Sequence, residues 1–483
     1  MALRVQDSSR VRRMNRTTPP RPTPSIASSI GLAGTQEDDA GQALNQAGQR
    51  DAFESNPSTT GRPKRASMAR ILLISTNFPP VIGGAAIVYE NICRRAGGMV
   101  VALAASNEYA TGKPLAGTAV YDRCAGYSIY RMRVLHETDG VRRGKLAAIW
   151  SQIYDLILMT MMLFRVVHIA RKERIDVICL GDLVYGGWLV FPLKYLFRYK
   201  VIFYIHGEEI TTHSGGLFDE CRAKFLAHAD AVVSVSSFTR DAMTRLMGID
   251  PAKIMVIQNG VDLDRFQVRI PPPNLATDYG VVGKRVILSV GRLVSRKGMD
   301  RLVEAMPRVL RDCPDTHLLI AGEGPLRTTL SDLIRTHGLE ARVTLLGAVS
   351  DQALVDLYAL AEIFALPNRE LPDGDTEGFG LVFLEANASG KPVVSGRAGG
   401  VVDAVTDGVN GLTVDGNDVE AISAAIVRLL KDPALYQQLA QGGRYIAQRN
   451  DWHRRTAEFL ALCDDTLSRN TITATSRASK ARK

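Results

Sequence analysis

From residue 69 onward the chain alternates short apolar runs with helix-patterned segments, and it does so twice with one interruption. The runs at 69–75, 176–180, 200–205, 231–235 and 253–257 are near-continuous in β-branched residues and Leu. That is the pattern of parallel strands covered on both faces. Strands separated by helices specify an α/β fold with a doubly wound parallel sheet. The stretch 264–280 breaks the rhythm and carries PPPN at 271–274, a linker signature. The alternation then restarts at 285–290, 317–321, 343–346, 363–366 and 392–395. Two α/β domains are therefore expected, 68–270 and 283–448. Two such domains facing each other form a cleft, a favoured place for ligands.

Charge excludes one function class. The net charge of +9 lies in the two ends: residues 1–67 hold ten Lys/Arg against six Asp/Glu, and 469–483 hold five basic residues and no acid. A nucleic-acid binder carries its basic excess on the folded domain, so no nucleic-acid partner is expected. Residues 1–67 are rich in Pro, Ser, Thr, Gly and Gln and read as a disordered extension. Met68, immediately before the first strand, reads as a start of the folded part or of translation. The tail 469–483 reads as disordered and basic, with contact to anionic lipid as the alternative. The six cysteines form no C-x-x-C pair, which fits a reducing, cytoplasmic setting better than a disulfide framework or zinc site. The apolar stretch 146–164 contains Ser151, Gln152 and Asp155. A central Asp costs about 2.5–3.5 kcal/mol on membrane insertion. The segment reads as an amphipathic helix packed on the first sheet, with docking on the inner face of a membrane as the second reading.

Three motifs carry chemistry. GRLVSRKG at 291–298 follows a strand and precedes a helix predicted over 300–311. Such a turn gathers backbone N–H groups and the positive end of a helix dipole, and Arg292 and Lys297 add two cations, a combination suited to a diphosphate. EGFGLVFLE at 377–385 places Glu377 on a loop and Glu385 one turn into a helix. A carboxylate can accept two hydroxyls at once, as a sugar or ribose diol requires. The blander reading makes both glutamates surface decoration and dipole partners. AGG at 398–400 and DGVNG at 407–411 are tight turns, with ligand contact and plain turn chemistry both open. In the first half, NFPPVIGG at 77–84 is a glycine-rich loop after the first strand, and HGEE at 206–209 follows another strand. Ligands of open α/β sheets bind at such carboxyl ends.

Taken together, these motifs resemble the retaining GT-B glycosyltransferases often called family 4, over about 68–465. The resemblance implies two Rossmann-like domains facing a cleft, a nucleotide-sugar donor (GDP- or UDP-sugar), no cofactor and no metal. Glu377 and Glu385 match the family's E-x7-E pair, and Arg292 and Lys297 its diphosphate-binding cations. Gly83 and Gly84 match its glycine loop facing the donor phosphates, and His206 a histidine near the transferred sugar. DWH at 451–453 matches the point where a last helix, 449–468, returns to the first domain. Asp403 departs from the usual Pro-Glu, with helix packing the property at stake. The implied catalytic set is His206, Glu377, Arg292 and Lys297. Gly83, Gly84, Phe379, Gly380, Leu381 and Glu385 complete the donor site. Within the family, 291–300 and 367–385, including the Asp373-Gly-Asp375 insert, look most like mannosyltransferases of phosphatidylinositol mannosides or polysaccharide precursors. The implied reaction moves a hexose to the hydroxyl of a lipid-linked or saccharide acceptor held by loops between 105 and 174. The alternatives are an inactive GT-B scaffold in a polysaccharide assembly complex, or a nucleotide-sugar epimerase. Asp373, Asp375 and Glu377 in one loop also raise a metal site, but without a calcium-loop pattern.

Overall fold

A computed structural model describes residues 68–108, 112–133, 145–211 and 219–480. The N-terminal extension expected over 1–67 lies outside the described residues. Among the described residues, thirteen strands form two sheets. The first contains β1 (Ile71–Ser75), β2 (Val100–Ala105), β3 (Ile129–Met132), β4 (Val177–Leu180), β5 (Lys200–Ile205), β6 (Ala231–Ser234) and β7 (Ile254–Val256). The second contains β8 (Arg285–Val290), β9 (Thr316–Ala321), β10 (Val343–Gly347), β11 (Ile363–Leu366), β12 (Val393–Gly396) and β13 (Gly411–Val414).

Every strand pairing is parallel. The orders are β3-β2-β1-β4-β5-β6-β7 and β10-β9-β8-β11-β12-β13. Each sheet therefore reverses direction once, between β1 and β4 and between β8 and β11. In open α/β sheets ligands bind at the carboxyl ends of the strands beside such reversals.

The continuous apolar runs are explained by β1. Ile71 and Leu73 belong to one buried cluster, while Leu72 and Ile74 belong to another. Successive side chains of a strand point to opposite faces, so a strand covered on both faces needs an unbroken apolar run. Helix Gly84–Arg95 covers one face through Val88, Tyr89, Ile92 and Cys93. Helix Lys145–Lys172 covers the other, through Met162, Val166, Val167, Ile169 and Ala170. Leu156, Ile157, Met161 and Phe164 of that helix face outward. The helix expected over 146–164 thus packs on the sheet through Met162 and extends eight residues further, to Lys172. The side chains of Ser151, Gln152 and Asp155 lie outside the described residues.

Two further expectations change. Three strands escaped the run-length reading. Val100–Ala105 is half alanine, Ile129–Met132 is a half-exposed edge strand containing Arg131, and Gly411–Val414 starts inside what reads as a turn. At the C-terminus, helix Trp452–Lys480 continues through most of the segment expected to be disordered. No Gly or Pro lies between 451 and 483 to stop it. Its start lies where the chain returns to the first domain. Val261 bridges to Asp451, and Trp452 packs against Gly260, buried to 2% exposure.

Candidate active site

The diphosphate-type loop leaves β8 at Gly291, forms a single turn over Ser295–Lys297, and enters helix Met299–Asp312 through Gly298. Gly298 has φ 67°, and a Cβ there would lie 1.9 Å from the carbonyl oxygen of Pro367. Only glycine lets this loop lie flat on the end of β11. Lys297 Nζ then reaches Glu377 Oε2 at 2.5 Å, and Asn368 Nδ2 donates to the same oxygen at 3.3 Å. Burial pushes the Glu377 carboxyl up, but Lys297, with Arg296 and Arg292, outweighs it and holds the pKa below the usual glutamate range. Oδ1 of Asn368 is buried without a hydrogen-bond partner among the described residues.

Arg296, which the motif reading passed over, is the buried member of the loop. Its Nη1 donates to both carboxylate oxygens of Asp375 at 3.0 Å, which gives the Asp373-Gly-Asp375 insert a concrete role. Its Nη2 donates to Glu208 of the first domain. Burial works against the charged guanidinium, yet Glu208, Glu377 and Asp375 hold its pKa above normal. Arg292 Nη2 also reaches Glu208, at 3.2 Å.

The second glycine loop sits directly on the first domain. A Cβ on Gly378 would lie 2.1 Å from the carbonyl oxygen of His206. The AGG turn supports this loop from beneath: Gly400 N–H donates to Glu377 O at 2.7 Å. A Cβ on Gly400 would meet Gly378 O at 1.9 Å. Of the two readings left open for that turn, the observed contacts are those of a buttress. Gly380, at φ 90°, caps helix Leu381–Ala388, and the Phe379 side chain is buried in the core. Glu385 lies one turn into this helix and is 8% exposed. It accepts a hydrogen bond from Tyr358 Oη at 2.9 Å, and burial raises its pKa to about 6.

The first domain supplies the opposite wall. Gly83 and Gly84 open helix Gly84–Arg95, and a Cβ on Gly84 would stand 4.0 Å from Leu381 Cδ1 across the cleft. The preceding loop is pinned by Arg131 on β3, whose Nη2 donates to Pro79 O at 2.6 Å and whose Nε donates to Asp122. His206 follows β5. Its ring stacks on Tyr204 at 5.4 Å, and Nε2 hydrogen-bonds Tyr89 Oη at 2.9 Å. Burial lowers its pKa to about 3, so the imidazole is neutral at physiological pH. Glu209 Oε2 accepts from the backbone N–H groups of His206 and Gly207, at 3.2 and 2.9 Å, and burial raises its pKa to about 7.

Asp403 spans the two domains. Its carboxylate accepts from Ser237 N–H at 2.7 Å and from Ser237 Oγ at 2.8 Å. The sequence reading gave it only a packing role within its own helix. Ser237 is 166 positions away, and nothing in the sequence joins them.

The structure thus brings Arg292, Lys297, Glu377, Gly84, Leu381 and His206 to one cleft, while Glu385 is buried one turn along the helix that starts at Leu381. Tyr89, Glu208, Arg296 and Asn368 join them unannounced. Arg296 could have been found as a third basic residue in the phosphate-type loop, and Glu208 from its place beside His206. Of the acceptor segment expected between 105 and 174, residues 109–111 and 134–144 lie outside the described residues.

Comparison with known proteins agrees with this geometry. The sequence profile for glycosyl transferases group 1 matches residues 279–445, and that for Glycosyltransferase Family 4 matches residues 129–265. A GDP-mannose-dependent alpha-(1-6)-phosphatidylinositol monomannoside mannosyltransferase from Mycolicibacterium smegmatis is 38% identical over 240 residues; the match spans 48% of this chain and 62% of that relative. The Mycobacterium tuberculosis protein of the same description is 29% identical over 78% of this chain and 93% of its own length. Among solved structures, Anabaena HepE in complex with UDP and glucose superimposes with a TM-score of 0.64 at 21% identity, covering 82% of this chain and 100% of that one. Sucrose-phosphate synthase from Thermosynechococcus elongatus gives 0.63 at 22% identity, over 84% and 99%. At this identity the structural likeness speaks for the fold. Two parallel sheets with matching strand orders, their glycine loops in contact across a cleft and both halves matched by profile, place the chain among the GT-B glycosyltransferases of the glycosyl transferases group 1 family.

Proposed function

We propose that the protein transfers a hexose, mannose first among candidates, from a GDP- or UDP-sugar to a hydroxyl of a lipid-linked or polysaccharide precursor. The anomeric configuration is retained and no metal ion is required. The observation that carries this reading is the convergence of Arg292, Lys297 and Glu377 at the β8/β11 reversal, facing Gly84 and His206 of the first domain. The mannose preference and the lipid acceptor are supported by the relatives' descriptions.

In this mechanism the acceptor oxygen bonds to the anomeric carbon on the face from which the diphosphate leaves. The bond from that carbon to the diphosphate oxygen breaks, and the acceptor proton passes to the departing phosphate. Arg292 and Lys297 stabilise the charge building on the diphosphate, a contribution of about 3–4 kcal/mol per well-placed group. They fill the role a metal plays elsewhere. Glu377 and the backbone N–H groups of Phe379, Gly380 and Leu381 hold sugar hydroxyls, and Glu385 holds the ribose diol. His206, neutral and fixed by Tyr89, hydrogen-bonds the transferred sugar. Glu377 is not a glycosidase nucleophile, because its carboxylate is committed to Lys297.

Acceptor binding falls to the first domain. A cavity of about 20 Å³ lined by Leu103, Met132, Met162 and Tyr185 lies beside Asp182 at the carboxyl ends of β1 and β4, room for one water but not for the acceptor ring, which has to sit outside it. The outward face of Leu156, Ile157, Met161 and Phe164, followed by Arg165, Arg171 and Lys172, suits peripheral contact with an anionic membrane. No helix among the described residues is long and apolar enough to cross one.

A single assay tests the reading. The protein is incubated with GDP-mannose or UDP-glucose, with and without a phosphatidylinositol-type acceptor, in the presence of EDTA, and products are followed by NMR. An α-linked product from the α-linked donor, formed in EDTA, is expected. An inverted product, or activity restored only by Mn2+, overturns the mechanism. Sugar altered without acceptor would identify an epimerase, and intact donor under all conditions a scaffold.

A further inference from the structure

The cleft holds three cations in one loop, and each carries a carboxylate. Lys297 pairs with Glu377, Arg296 with Asp375 and Glu208, and Arg292 with Glu208. A nucleoside diphosphate brings two to three negative charges to this loop. If all three carboxylates stayed, no cation of the loop would be free to meet that charge. Release of the least firmly held carboxylate lowers the cost of placing it there.

Two are built to stay. Asp375 is locked bidentately to Arg296 within the second domain. Glu377 is 14% exposed, is held by Lys297 and Asn368, and is braced by the AGG turn, whose Gly400 N–H donates to its carbonyl. Glu208 is different in each respect. Its side chain is 52% exposed, it comes from the other domain, and it sits on the four-residue helix Glu208–Thr211. One oxygen, Oε1, meets both Arg292 and Arg296. That is the geometry of a phosphate oxygen bridging two guanidinium groups.

We infer that Glu208 is an internal stand-in for the donor's diphosphate. It pairs with Arg292 and the Nη2 edge of Arg296 and yields both to the incoming phosphates. It thereby weakens binding of every anion at this loop and hastens release of the nucleoside diphosphate after transfer. Arg296 keeps Asp375 as a partner throughout, so it is never left as an isolated buried charge. The inference rests on the reading of 291–298 as the donor-diphosphate loop.

The test separates a competing anion from a structural tie, because the two predict opposite signs. Calorimetric titration of the full chain with GDP and with UDP is carried out on wild type, Glu208→Gln and Asp403→Ala. The last variant loses a contact between the domains that touches none of the three cations. If Glu208 competes, Glu208→Gln binds the preferred nucleotide about fivefold or more tightly, and stopped-flow release is slower. Asp403→Ala shows no such gain. Unchanged or weaker binding in Glu208→Gln overturns the inference, as does an equal gain in Asp403→Ala, which would mean that loosening the domains suffices. A wild type that binds neither nucleotide overturns the functional reading and the inference with it.

Discussion

Glu377 and Glu385 are separated by seven residues, yet the fold gives them opposite electrostatics. Glu377 is surrounded by Lys297, Arg296 and Arg292 and stays ionised well into the acid range. Glu385 has Tyr358 as its nearest partner, and burial lifts it from 4.5 to about 6. Folded protein therefore holds this proton more tightly than unfolded chain. The resulting stabilisation of the empty protein is present below pH 4.5 and is lost as pH rises through 6. Binding a diol needs the opposite state, because only the carboxylate accepts two hydroxyls. Nucleotide affinity should accordingly rise from pH 5 to 7 and level off. Titrations across that range in wild type and Glu385→Gln check this; an unchanged step in the variant would assign the proton elsewhere. Lys297→Ala should lower turnover about 100-fold through lost charge stabilisation at the leaving diphosphate. Steady-state kinetics showing less than a threefold loss would remove Lys297 from that role. The motif spacing made Arg292, Lys297, Glu377 and Glu385 readable. It could not reveal Tyr89, Glu208 or Arg296's pairing, because those depend on which loops the two sheets bring together across 79 to 117 positions of chain.

At the scale of elements, most strands were readable because a strand buried on both faces carries its polar residues only at its ends, as Ser75 of β1 and Lys200 of β5 show. The failures follow from the same physics. Ile129–Met132 lies at a sheet edge with half-buried side chains, so its sequence is free to include Arg131. Helix Lys145–Lys172 runs past the expected end at 164 because no Gly or Pro interrupts 165–172, while Leu156, Ile157, Met161 and Phe164 put apolar side chains on its outward side as well. The loop into helix Met299–Asp312 gives the sharpest test of an element. Gly298→Ala puts a Cβ 1.9 Å from Pro367 O in a left-handed backbone conformation. We expect a loss of about 1–3 kcal/mol from backbone strain, together with a raised donor KM as Lys297 moves off its place beside Glu377. Urea unfolding and steady-state kinetics measure the two effects. A variant with wild-type stability and KM would show that the loop position is not set by this glycine.

At the scale of the whole molecule, the contacts between the two domains include three that bear on how the cleft closes. These are the close approach of Gly378 to the His206 carbonyl, the pairing of Glu208 with two arginines, and the Asp403–Ser237 hydrogen bonds. The first two lie in the cleft, and the third ties the start of helix Ser237–Met247 to the second domain. Asp403 accepts the backbone N–H at the first position of helix Ser237–Met247 and the hydroxyl beside it, both charge-assisted bonds at the positive end of a helix dipole. Hydrogen bonds to a charged acceptor are worth about 1.5–3 kcal/mol, enough to shift a two-state opening by about tenfold or more. Asp403→Ala should therefore open the empty enzyme, seen as a larger radius of gyration in small-angle X-ray scattering. Saturating nucleotide should restore the compact value by bridging the loops at 77–84 and 291–298. Turnover should fall more than donor affinity, because closure excludes water and completes the site only after the donor is bound. An unchanged scattering curve would mean that Asp403 caps a helix without holding the domains together.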